Sequence, residues 1–189
     1  YAARYSGSTE VVKALIDAGA DPELATDEGF TPLMLAAGFN NTVESVRALL
    51  SAGAKTTSRD SDGWSPLMWA AAFSTSSEVL ECIIWADSSI ESSKSLPRPA
   101  KAVAELNSRS HEGRTPLSLA AQYNSSAEVI KVLIAAGAAV DSPCEKGMTP
   151  LMWAASSNSS VEVSEALLDS DAEVNSRSKT GETPLLRAA

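Results

Sequence analysis

The chain has 189 residues, 44% of them hydrophobic and 21% charged, with a formal net charge of −9. That acidity argues against nucleic acid and against anionic membrane surfaces, since both reward Lys and Arg. No apolar run approaches the ~20 residues that span a bilayer, and no signal-peptide pattern is read at Tyr1.

One heptapeptide organises everything else. Thr31-Pro32-Leu33-Met34-Leu35-Ala36-Ala37 returns as Ser65-Pro66-Leu67-Met68-Trp69-Ala70-Ala71 and Thr115-Pro116-Leu117-Ser118-Leu119-Ala120-Ala121. It returns again as Thr149-Pro150-Leu151-Met152-Trp153-Ala154-Ala155 and Thr183-Pro184-Leu185-Leu186-Arg187-Ala188-Ala189. The prolines at 32, 66, 116, 150 and 184 are 34, 50, 34 and 34 residues apart, so one step carries an insertion of 50 − 34 = 16. Gly29, Gly63, Gly113, Gly147 and Gly181 keep the same phase, as do Glu10, Glu44, Glu78, Glu128 and Glu162. A fixed period in this range marks stacked supersecondary units.

In chain order, residues 1–26 read as the tail of a repeat, with Ala2-Ala3 in the phase of Ala36-Ala37. Its second helix runs through Glu10-Val11-Val12-Lys13-Ala14-Leu15-Ile16 and stops at Gly19. Residues 27–60 form the first complete unit, with Thr31 as helix cap and Pro32 at the first helical position. Its second helix is predicted to open with a capping box, Asn41-x-x-Glu44. The same box is expected at Thr75/Glu78, Ser125/Glu128 and Ser159/Glu162.

Residues 61–107 are a unit whose second helix is expected to end at Asp87, followed by the insertion at about 88–106. Its serine-rich part reads as a loop. Pro99 would open a short helix whose Val103 and Leu106 touch the stack, and Lys94, Arg98 and Lys101 make a basic patch. A passive loop is the preferred reading, because loops absorb insertions at little cost; a loop near a binding face is the other. Residues 108–143 and 144–178 are regular units, and 179–189 are half of another. The whole reads as a single array, 1–189, with uncapped ends. It is expected to be a fragment of a longer one, monomeric unless the end faces associate.

These residues resemble the ankyrin repeat, whose pattern is a glycine-bearing turn, a Thr-Pro-Leu-His-x-Ala-Ala helix and a second helix closing near Gly-Ala-Asp. The likeness covers the chain apart from the insertion. The motif histidine is replaced by Met34, Met68, Ser118, Met152 and Leu186, and each unit has one more residue between its helices than the usual 33. The resemblance implies an all-α ankyrin-repeat solenoid of stacked helix-turn-helix units with short β-turn or hairpin fingers.

Catalytic chemistry is not expected. The lone histidine, His111, sits in a predicted turn without partners for a triad or a metal site. There is no phosphate-binding glycine loop and no Cys-x-x-Cys, so no cofactor, metal or catalytic residue is assigned. Cys82 and Cys144 fit no disulfide framework; Cys82 aligns with Ala14, Ala48, Val132 and Ala166 and reads as a small packed residue. A reducing, cytoplasmic compartment is the default.

What the resemblance implies instead is recognition of a protein or peptide on the concave face of fingers and first helices. Carried over position by position, the residues after the turn glycines face the partner: Phe30, Trp64, Arg114, Met148 and Glu182. The acidic positions before them, Asp27, Glu28, Asp62 and Glu112, would rim the face and favour a basic segment. Trp64 either touches a partner or packs over the neighbouring finger. The series Phe39, Phe73 and Tyr123, with Tyr5 before it and Ser157 breaking it, either contacts the partner or covers the inter-helix loop. Trp69 and Trp153 read as core. The expected role is a non-catalytic interaction module; the alternatives are a substrate-recruiting region of a longer enzyme, or a structural spacer or scaffold.

Overall fold

Each repeat opens with a hydroxyl residue, a proline and a leucine, and each such triplet starts a helix. Thr31, Ser65, Thr115, Thr149 and Thr183 hold extended backbone, and their side-chain oxygens accept the N–H three residues on, at 3.2–3.4 Å. The proline that follows loses only an N–H that a first helical turn leaves unpaired.

The computed structural model describes residues 9–40, 42–86 and 100–189. In chain order its helices begin with α1 (Thr9–Asp17), α2 (Pro32–Leu35), which continues as a π-helical turn (Ala36–Asn40), and α3 (Val43–Ser51). They go on with α4 (Pro66–Phe73), α5 (Ser77–Ile84), α6 (Ala100–Leu106) and α7 (Pro116–Tyr123). The series closes with α8 (Ala127–Ala136), α9 (Pro150–Ser157), α10 (Val161–Leu168) and α11 (Pro184–Ala188). Among the described residues there is no β-strand.

Two helical layers result. The first helices α2, α4, α7, α9 and α11 stack in sequence, and the second helices α1, α3, α5, α8 and α10 form the layer behind them. The motif leucines Leu33, Leu67, Leu117 and Leu151 meet Val46, Val79, Val129 and Val163 between the layers, all buried. The paired alanines let the helices approach closely. Each buried leucine stabilises the stack by about 1.5–3 kcal/mol, so cohesion is spread along the array.

The insertion does not break this register, because α4 still packs on α7 and α5 on α8. Its helix α6 rests against α5 and α8, in the second-helix layer. Leu106 is 1% exposed there, whereas Val103, expected to touch the stack, remains 36% exposed. Arg59 ties α6 down through a 2.9 Å ion pair with Glu105. Tyr5, Ala2-Ala3, Asn41, Asp87, Lys94, Arg98, Pro99 and the serine-rich loop lie outside the described residues, as does the side chain of Lys101.

The fingers are turns, each joined to the next by one backbone bond: Ser61 to Glu28, His111 to Asp62, Glu145 to Glu112 and Lys179 to Lys146, at 3.0–3.2 Å.

The links between helices correct the sequence reading. Helices α5, α8 and α10 are capped one residue later than expected, at Ser76, Ser126 and Ser160, and none of these makes a side-chain cap bond. Instead Ser74, Asn124 and Asn158, at the ends of the first helices, accept the N–H of Ser76, Ser126 and Ser160 at 2.9–3.1 Å. The asparagines also donate backwards. Asn124 Nδ2 bonds the carbonyls of Ala71 (3.0 Å) and Ser74 (2.7 Å), and Asn158 Nδ2 those of Ala121 (2.9 Å) and Asn124 (2.7 Å). An amide serves its own turn and the open carbonyls at the end of the preceding repeat's first helix together, which a hydroxyl–glutamate box does not.

Candidate protein-interaction face

Fingers and first helices place their aromatic residues side by side. Trp69, on α4, is the hub: Phe30 meets it edge-on at 5.3 Å, Trp64 lies 5.1 Å away, Phe73 5.4 Å and Phe39 5.7 Å. Phe39, Phe73 and Tyr123, from three successive repeats, stack with centroids 5.7 and 5.8 Å apart. Trp64 closes the group against Phe73 (6.2 Å) and Tyr123 (6.3 Å). Pairs at these separations each add about 0.5–1.5 kcal/mol beyond burial.

Trp69 is oriented from below. Its Nε1 donates to Asp60 Oδ2 at 2.8 Å, while Asp60 Oδ1 accepts the backbone N–H of Asp62 and of Trp64. One buried carboxylate therefore fixes both the finger that carries Trp64 and the ring beneath it.

The strip continues through Arg114. Its guanidinium lies over the Trp153 ring, 5.3 Å from the centroid, and donates to Gln122 Oε1 (2.7 Å), to the Tyr123 hydroxyl (3.3 Å) and to the Glu112 carboxylate. Burial works to lower the Arg114 pKa, but the bonds to Tyr123 and Glu112 more than offset it and leave it above its ordinary value. The guanidinium is held charged on an aromatic seat.

The expected site residues divide accordingly. Phe30 and Trp64 are half-buried in the strip; Phe39, Phe73 and Tyr123 are 38%, 37% and 46% exposed. Asp27, Glu28, Asp62 and Glu112 stand exposed at the finger tips. Met148 is different: at 4% exposure it packs with Cys144 and Met152, so this position belongs to the interior of its finger. Trp69, read as core, is a half-buried member of the strip instead, whereas Trp153 packs against the core as read, half-buried, with Arg114 over its ring. The visible signal was their departure from Leu35 and Leu119 of two other copies. Asp60 and Gln122 carried no signal, because their partners, Trp69 and Arg114, come from other elements.

Among the described residues no group of three or more His, Cys, Asp or Glu is placed to hold a metal. Their helices include none long and apolar enough to cross a membrane. Burial raises the Cys82 thiol, and nearby Arg47 pulls it back only in part.

The family model described as ankyrin repeats (3 copies) matches residues 1–95 and again residues 91–178. The chain belongs to the ankyrin repeat family. No individual curated protein matches it. Ankyrin repeats are generally protein–protein interaction modules and typically non-catalytic. In this ankyrin array the aromatic strip lies on the finger and first-helix side, and α6 rests on the second-helix layer.

Proposed function

We propose that this array is a non-catalytic module that binds a partner protein or peptide on the face built by its fingers and first helices. A basic segment of the partner meets the acidic finger tips. The observation that carries this reading is the aromatic strip, continuous over three repeats and half exposed. A contiguous aromatic surface left open to water is unfavourable, and rings are favoured anchors at interfaces. The strip is also preorganised, since its rings hold one another and Asp60 holds Trp69. Binding then costs little side-chain ordering. Phe30, Trp64, Phe39, Phe73 and Tyr123 are the anchors, Trp69 their support, Arg114 the far end, and Asp27, Glu28, Asp62 and Glu112 the rim.

The test is selection of displayed random peptides on the native array, followed by affinities on a Trp64→Ala/Phe73→Ala variant of unchanged melting temperature. The expected loss is about 30-fold or more. Peptides that bind both forms equally would overturn the reading.

A further inference from the structure

The third finger shows how this face treats a cation. Arg114 occupies the position that Trp64 holds in the second finger, and Glu112 the position of Asp62. There the chain supplies its own guanidinium, laid on Trp153, bonded to Tyr123 and Gln122 and held by Glu112. In the second finger the matching carboxylate, Asp62, is exposed two residues before Trp64, whose ring meets Phe73 and Tyr123, the three centroids lying 5.8–6.3 Å apart. The carboxylate and one ring recur, Asp62 for Glu112 and Phe73 for Tyr123; Leu119 stands in the phase of Trp153 and Ala72 in that of Gln122, and the chain places a tryptophan where the third finger has its arginine.

The finger tips nearest these rings carry a net negative charge. The first three finger tips, residues 27–30, 61–64 and 111–114, carry Asp27, Glu28, Asp62 and Glu112 against Arg114 alone. Arg114 is already neutralised by Glu112. A planar cation suits such a surface better than a compact one, because guanidinium stacks on rings and is less strongly hydrated than ammonium.

We propose that the partner segment is extended and arginine-bearing, with a guanidinium lying on the Trp64–Phe73–Tyr123 rings and turned toward Asp62, by the same ring-stacking chemistry that seats Arg114 on Trp153. This rests on the interaction reading above and narrows it to one side-chain chemistry.

The experiment uses three synthetic Gly/Ser-spaced peptides of equal length, bearing four arginines, four lysines or four citrullines, titrated by fluorescence anisotropy against the whole chain. The arginine peptide should bind about fivefold or more tighter than the lysine peptide, and the neutral citrulline peptide weakest. Phe73→Leu/Tyr123→Leu should abolish the arginine preference, while Asp62→Asn should weaken arginine and lysine peptides alike, each variant being checked for an unchanged melting temperature. Equal binding of arginine and lysine peptides, or a preference that survives loss of the rings, overturns the proposal. If the displayed-peptide selection returns ring-dependent binders without arginine, this proposal falls and the interaction reading stands. If its binders ignore the rings, both fall.

Discussion

Trp69 donates its indole N–H to the carboxylate of Asp60 at 2.8 Å, and the equivalent tryptophan two repeats on has no such acceptor. Trp153 stands in the phase of Trp69, but the phase of Asp60 is filled by Cys144, and Trp153 Nε1 is buried without a hydrogen-bond partner. Thr26, Ser110 and Ser178, at the same position in other fingers, also accept finger N–H groups. Cys144 is the exception. Cys144→Asp should therefore restore acceptors for the Trp153 indole and the finger N–H groups, raising stability by about 1–2 kcal/mol. Urea denaturation followed by tryptophan fluorescence would measure the gain. A loss would mean that carboxylate burial outweighs the new bonds.

Asn124 holds two repeats together through one amide. Its Nδ2 bonds two carbonyls of the preceding repeat, and its Oδ1 accepts Ser126 N–H. Asn124→Ala leaves those buried groups open and should cost about 2–4 kcal/mol. Because the lost bonds cross a repeat boundary, coupling between neighbours weakens too. The urea transition should broaden as well as shift, with a lower m-value. A shifted transition of unchanged slope would confine Asn124 to local turn stability.

How far these features were legible in the sequence follows from whether a single repeat determines them. The Thr-Pro-Leu opening needs only its own N–H three residues on, so five helix starts were readable from their spacing. The links were not. Asn124-Ser125-Ser126 and Asn158-Ser159-Ser160 offer several residues that cap helices equally well, and carbonyls of the previous repeat decide among them. The finger positions show the same limit. Phe30, Trp64 and Met148 share one phase, yet Met148 turns inward with Cys144 and Met152 while Trp64 lies over Trp69. Trp69 itself became the hub only because rings from two fingers and two helices converge on it.

Finger packing predicts a contrast between two glycines of equal phase. Gly63 has φ +77°, and a Cβ there would meet the His111 backbone nitrogen at 2.9 Å. Gly181 has φ +83°, but a Cβ would find nothing within 4 Å. Gly181→Ala should cost about 1 kcal/mol, the strain of a left-handed backbone alone. Gly63→Ala should cost about 2–3 kcal/mol, because the His111–Asp62 backbone bond between fingers must also give. Melting temperatures of the two variants, taken side by side, check this; equal losses would show that the fingers adjust freely.

Cys82 gives a pH prediction. Burial raises its thiol pKa, and the charge of Arg47 with its hydrogen bond lowers it by less. The folded chain therefore holds the thiol proton more tightly than the unfolded chain does. The stability this contributes is fully present below the unfolded thiol pKa, about 8.5, and is lost as pH rises through the higher folded value. The urea midpoint should consequently fall as pH rises above about 8.5, and a Cys82→Ala variant should lose that part of the slope. Iodoacetamide reacts with the thiolate, so native Cys82 should label at pH 8 more slowly than the same residue in urea. Arg47→Ala should slow it further, by removing the one influence that favours the ionised form. Labelling faster in Arg47→Ala would mean that Arg47 restricts access to the sulfur more than it stabilises its charge.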